Sequence, residues 1–310
     1  MFFIGSLFFL IFVSSPPLYC QREVIGFPFF LGNYSEAYPF INPAYTAYLE
    51  SEVSLGNQRF SGAWNNIQSL YALISLKIHR SDTLRHYQAI GLTAFTEQEG
   101  AYLRRNRLYG QYATNLLIRN NWNLSAGVAL GAMNYLVLAS AVNAGGSDTK
   151  LDGAIGIRLK LKNWQAGYAI SQIFNSGIQP LIDIYRLIPM YHYTIEAQYN
   201  MNEQVFGKPL GYLRYINPQL YDMLLAHHWI LANSLTLGIG YHHRRNLIFY
   251  FGLENASSIW GKLRVMFSYH TPIGKNNLAN FNTFEFNVIY RLSSLKKRSS
   301  MTEKNFQNDY

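Results

Sequence analysis

Two histidine pairs, His227-His228 and His242-His243, and the step Ser268-x-His270 carry the side chains of this sequence best suited to chemistry. Paired imidazoles suggest metal ligation. Adjacent residues of a strand point to opposite faces, however, so neither pair is expected to chelate from one side. No metal site and no cofactor are expected. Ser268 and His270 share a face, and Glu285 falls on the following strand, which invites comparison with a nucleophile, a base and an orienting acid. Both alternate with the apolar Phe267 and Tyr269, so they belong to the polar side of their strand, and no catalytic residue is assigned. The glycines Gly127/Gly131 and Gly238/Gly240 read as close strand packing or bends, and Gly145-Gly146 as a loop. None stands between a strand and an amphipathic helix, as a phosphate cradle requires. Arg104, Arg105 and Arg107 follow Glu97 and Glu99 in what reads as a long loop. They form a charged patch suited to solvent, lipid phosphate or a partner. His242, Arg244 and Arg245 near another turn suit anionic lipid or loop carboxylates.

The elements that position these residues repeat with period two. Ile155, Ile157, Leu159 and Leu161 alternate with Gly156, Arg158, Lys160 and Lys162. Trp122, Leu124, Ala126, Val128 and Leu130 form one face. Leu235, Leu237, Ile239 and Tyr241 form another, as do Leu263, Val265, Phe267 and Tyr269, and Phe284, Phe286, Val288, Tyr290 and Leu292. Each window is a strand with one apolar and one mixed face. A sandwich would bury the apolar face, and a transmembrane barrel would turn it to lipid. The windows approach the roughly 9–11 residues a tilted strand needs to cross a bilayer, longer than the usual sandwich strand of about 5–6. Brief turns at Ser81–Arg85, Asn120-Asn121, Lys162-Asn163, Asn200–Asn202, Ala232–Ser234 and Asn255–Ser257 alternate with longer connections at Arg59–Asn65, Glu97–Arg107, Ala139–Lys150, Phe174–Ile188 and Thr271–Phe281. His243–Asn246 and Asn217–Gln219 are brief exceptions on the long side. The tally is about fourteen strands, an even number as single-chain outer-membrane barrels have. The expectation is an all-β, antiparallel transmembrane barrel over residues 45–292.

Composition agrees with export to a membrane. Charged residues make up 14% of the 310, against about a quarter in a soluble globular protein, while aromatics make up 16% with 24 tyrosines. Residues 1–20 read as a cleaved signal peptide, with an apolar core from Phe2 to Val13 broken by Ser14-Ser15-Pro16-Pro17. A retained anchor and a lipoprotein at Cys20 are the other readings. Cleavage after the single cysteine would leave no thiol for a disulfide or metal site. The formal charge of +9 suits anionic surfaces such as outer-membrane lipid headgroups, and an exported chain does not call for nucleic acid. Residues 21–44 are expected to form a periplasmic N-terminal segment. Pro43, lacking an N–H, is expected just before the first strand. Tyr45, Tyr48, Trp122 and Trp164 are expected at the inner membrane–water boundary. After Leu292 the polar stretch 293–310, with Lys296, Lys297 and Arg298, reads as a disordered periplasmic tail, a candidate dock for a partner.

The stretch FINPAYTA, with Asn42, Pro43, Ala44 and Tyr45, resembles the Asn-Pro-Ala-Tyr-Ala-Gly signature of the PorP/SprF family of outer-membrane proteins of Bacteroidota. Residues 61–78, around Trp64 and Gln68, residues 89–135, and residues 266–292 resemble further segments of that family in order. In the last of these, His270 stands for the usual aspartate and Thr283-Phe284-Glu285 for Ser-His-Glu. The resemblance implies an outer-membrane barrel of the type IX secretion and gliding machinery without catalytic residues. It also implies periplasmic machinery components and a secreted sorting-domain adhesin as partners. A passive porin or small-solute channel is the alternative.

Overall fold

The computed structural model describes residues 23–24, 32–47, 51–62, 65–81, 86–119, 122–140, 144–181, 185–201, 204–217, 220–232, 234–243, 246–258, 261–273 and 282–292. Fourteen strands form the wall: β1 (Glu52–Phe60), β2 (Gln68–Ser81), β3 (His86–Glu99), β4 (Leu103–Arg119), β5 (Trp122–Val137), β6 (Gly146–Leu161), β7 (Trp164–Ser171), β8 (Met190–Ala197), β9 (Val205–Asn217), β10 (Leu220–Leu231), β11 (Leu235–His242), β12 (Asn246–Ser258), β13 (Gly261–Pro272) and β14 (Thr283–Leu292). Each pairs antiparallel with its chain neighbours. β14 closes on β1 from Thr283↔Phe60 to Arg291↔Glu52, so the sheet is a closed barrel without free edges.

Alternation fixes which way each residue looks. Leu55, Leu70, Ile90, Leu130, Ile157 and Phe286 stand exposed on the outside, Leu130 at 59%. Ser54, Gln58, Asn115, Arg158 and Asn287 are buried on the inside. A soluble protein does the reverse; an apolar exterior around a polar interior is the arrangement for a barrel in hydrocarbon. β4, β5 and β6 run 17, 16 and 16 residues. That exceeds what a bilayer needs, so one end of these strands stands clear of it. Brief turns such as 162–163, between β6 and β7, mark the opposite end, which in outer-membrane barrels faces the periplasm.

Two boundaries differ from the sequence expectation. β3 continues to Glu99 and β4 resumes at Leu103, leaving only Gly100–Tyr102 as the turn. Of the charged residues that resembled a loop, Glu97, Arg105 and Arg107 are instead inward-facing strand positions, while Arg104 is an exposed one. The first strand begins at Glu52, not near residue 45. Residues before it form three short turns: a 3-10 turn Tyr34–Glu36, one helical turn α1 (Tyr38–Ile41) and a 3-10 turn Pro43–Ala47. Apart from Ser35, residues 32–47 are buried, and they pack against inward side chains of the wall. This stretch is therefore a plug in the lumen, and not a segment outside the barrel. Pro43 starts its turn because the fixed φ that suits a strand edge suits the first position of a helical turn equally well.

At the long-connection end, Glu23–Val24 pairs in parallel with Tyr185–Leu187, which pairs with Gly177–Ile178. Ile178 and Leu187 pack on Met133, Tyr135 and Leu103 below. Gly32 lies near that end, beside His270 of β13. Ala47 lies with Ala89 and Ala113 towards the short-turn end. The plug thus runs down the lumen towards the start of β1.

Candidate functional site

A non-repetitive backbone at membrane depth needs partners for its amides and carbonyls, because no bulk water supplies them. The upper plug finds them in charged side chains. Glu285 of β14 accepts from the amides of Gly32 (2.9 Å) and Asn33 (3.0 Å) and from the Tyr71 hydroxyl (3.1 Å). The Tyr250 hydroxyl donates to the Gly32 carbonyl (3.1 Å). Arg264 of β13 pairs with Glu36 of the plug at 2.8 Å and with Glu254 at 3.1 Å. Tyr34 stacks on Tyr212 with ring centroids 5.0 Å apart.

The middle of the plug is aromatic. Tyr38 stacks on Tyr45 at 4.4 Å, and its hydroxyl donates to Glu196 at 2.5 Å. Phe40 packs on Phe95 at 5.5 Å. The Arg107 guanidinium lies between the rings of Phe40 and Tyr109, 4.4 Å from each centroid, and donates to the Phe40 carbonyl (3.2 Å). Gln111 donates to the Pro39 carbonyl (2.8 Å) and accepts from the Thr46 hydroxyl (2.7 Å). Ser75 donates to the Thr46 carbonyl (2.9 Å).

The lower plug, Asn42–Tyr45, rests on glycines. Asn42 folds its side-chain oxygen back to the Ala44 amide (3.0 Å), a local turn typical of asparagine. Its side-chain nitrogen donates to the carbonyls of Ile157 (3.0 Å) and Tyr168 (3.3 Å). Gly127, Gly156 and Gly167 lie beneath on β5, β6 and β7. A Cβ on Gly156 would collide with Asn42 Oδ1, and one on Gly127 would lie 2.5 Å from the Pro43 carbonyl carbon. Glycine allows the plug backbone this close. Tyr45 is 1% exposed, bonds Thr194 through its hydroxyl (3.0 Å) and lies 5.2 Å from the Arg158 guanidinium. It is a lumenal residue, which corrects its expected place at the membrane boundary: the chain around it is a 3-10 turn inside the wall.

The other expected site residues separate. Trp122 and Trp164 open β5 and β7 on the outer face, 44% and 59% exposed, at the short-turn end. Tyr48, Lys296, Lys297 and Arg298 lie outside the described residues. Arg104 is exposed, but Arg105 and Arg107 are buried and face inward, so the three do not form one external patch. Arg105 pairs with Glu97 and Glu99. Ser268 Oγ lies 2.9 Å from His270 Nε2, and that same nitrogen is 3.9 Å from Glu285. A catalytic relay places the nucleophile and the orienting carboxylate on opposite ring nitrogens, whereas here one nitrogen faces both and Gly32 packs against the ring. His227 looks outward beside Trp229 and His228 is buried within, as alternation requires. His242 and His243 depart from it: β11 ends at His242, and the rings meet with centroids 4.8 Å apart.

The plug was the part that sequence reasoning missed. Its signal was an aromatic, nearly uncharged stretch from Tyr34 to Tyr45 together with glycines at inward positions of neighbouring strands.

Comparisons with known proteins agree with this architecture. Solved structures similar in fold include the CymD monoaromatic hydrocarbon channel, 9% identical with a TM-score of 0.52, covering 83% of this chain and 92% of that one. The TodX monoaromatic hydrocarbon channel deltaS2 mutant is 11% identical with a TM-score of 0.51, covering 82% and 92%. At such identities the likeness concerns the fold alone. No curated protein matches the sequence. The model of the family described as Type IX secretion system membrane protein PorP/SprF matches residues 28–290, a span that takes in the plug and all but the end of the last strand. The chain is therefore an outer-membrane β-barrel and belongs to the PorP/SprF family of type IX secretion system membrane proteins.

Proposed function

We propose that this component of the secretion machinery is a non-enzymatic scaffold in the outer membrane, supporting the secretion or surface attachment of partner proteins such as sorting-domain adhesins. The supporting observation is the lumen, occupied by residues 32–47 and bonded to side chains of β2, β4, β12 and β14. A passive porin needs an open, wet path, and a plug with this many specific bonds argues against one. On this reading Trp122 and Trp164 belong to the inner aromatic girdle, which holds the barrel at fixed depth. The tail with Lys296, Lys297 and Arg298 docks a periplasmic component of the machinery, and the exposed Arg104 contacts lipid phosphate or a surface partner.

Planar-bilayer recording separates the two readings. The intact protein is expected to give no steady conductance, and a variant lacking residues 32–47 to give a stable open level. Steady conductance from the intact protein would favour the porin. Deleting residues 294–310 is expected to leave membrane insertion unchanged while reducing co-purification of a periplasmic partner; unchanged co-purification would remove the tail's assigned role.

A further inference from the structure

We propose that Asp222, His242 and His243 form a binding site for one divalent transition-metal ion of the zinc type at the long-connection mouth of the barrel. Each offers one ligating atom, and the three atoms lie within 4.8 Å of one another. The end of β11 makes this possible. A regular strand would send the two imidazoles to opposite faces, but His243 is already in the turn and its ring comes to the side of His242. Asp222, at the start of β10, brings Oδ1 to 3.6 Å from His242 Nε2. Asp222 and His242 are buried and His243 is partly exposed, so the site opens towards the mouth.

The surroundings hold these groups in place. Arg214 Nε donates to the other carboxylate oxygen, Asp222 Oδ2, at 2.9 Å, the kind of outer partner that orients a ligating carboxylate. Tyr221 stacks on the His243 ring, with centroids 4.7 Å apart and planes 22° from parallel. The His243 amide donates to the Met223 carbonyl (3.0 Å), and the Met223 amide donates to His243 Nδ1 (3.1 Å). Two imidazoles and one carboxylate suit zinc, cobalt or nickel better than magnesium or calcium, which prefer oxygen alone. Three protein ligands leave a fourth position for water or an incoming ligand. The Arg214 charge opposes the cation, so binding is expected in the micromolar range and not tighter.

Cobalt is the probe. The untagged full-length protein, stripped with chelator in detergent, is titrated with Co2+ and followed by its visible ligand-field absorption, then challenged with Zn2+. The expected result is one tetrahedral-type cobalt spectrum per chain, abolished by zinc. His242→Gln, His243→Ala and Asp222→Asn should each weaken binding at least about tenfold, while His227→Ala on the outer face should leave it unchanged. Heat-modifiable migration on gels checks that each variant is folded. Absence of saturable binding at one metal per chain, or unchanged binding in a folded His242→Gln/His243→Ala double variant, would overturn the site.

Discussion

The two ends of the plug are held by opposite means. The upper end, Gly32–Glu36, is gripped by charged side chains of β13 and β14: Glu285 takes two backbone amides and Arg264 takes Glu36. The lower end, Asn42–Tyr45, is held by neutral hydrogen bonds from Asn42 and Tyr45 and by shape, because Gly127, Gly156 and Gly167 remove the side chains that would stand in its way. Electrostatic grip tolerates small displacements but fails when a charge is removed. A glycine floor carries no bond energy of its own but fails when any atom is added. One lumen therefore offers two independent ways to loosen the same segment.

Removing the grip is expected to have the larger effect. Glu285→Ala leaves two buried amides without their acceptor, at roughly 1–3 kcal/mol each. Urea unfolding of the vesicle-inserted protein should show a loss of about 2–5 kcal/mol, with the upper plug becoming open to protease. A loss below 1 kcal/mol would mean that water replaces the carboxylate and that the grip is weaker than its geometry implies. Filling the floor comes next. Gly156→Val places atoms where Asn42 lies and should cost about 1–3 kcal/mol, as overpacking does. Gly110→Ala provides the contrast, since its nearest neighbour to an added Cβ is 3.9 Å away; equal losses at the two positions would remove the special role of the floor. The smallest effect is expected from Tyr45→Phe, which removes one hydroxyl bond to Thr194 and should cost about 0.5–1.5 kcal/mol. An outward Tyr45 at the membrane boundary would give no such change.

Much of the wall was legible in advance, and the reason is period two. Ile155, Ile157 and Leu159 needed no tertiary knowledge to be assigned to one face, and short turns such as Lys162-Asn163 set the strand count. The plug obeys no such period. Its helical pieces run three to five residues, too short for a hydrophobic pattern to develop, and its aromatics satisfy equally the demands of a membrane girdle and of a packed lumen. Tyr45 was misplaced for that reason. Arg105 and Arg107 were misplaced because an inward-facing polar position looks like a loop position when charges crowd the strand end. His242-His243 escaped because strand alternation was applied one residue past the point where the strand stops.

The corrections at Tyr45 and Arg107 share a cause: each residue meets a partner distant in sequence, Thr194 and Phe40. Glu285 and Gly32 are 253 residues apart, and Asn42 meets Ile157 across 115. Local pattern identifies the strand that carries such a residue but not what arrives on its inner face.

Thiol protection tests the occupied lumen most directly. In a chain with Cys20 replaced by serine, Ala44→Cys is introduced at a position that is fully buried, and Leu138→Cys at an exposed position near the long-connection mouth serves as the reference. With the protein folded in vesicles, a water-soluble maleimide is expected to label position 138 readily and position 44 only after urea unfolding. Labelling of position 44 in the folded protein at the rate of position 138 would contradict a plug seated in the barrel.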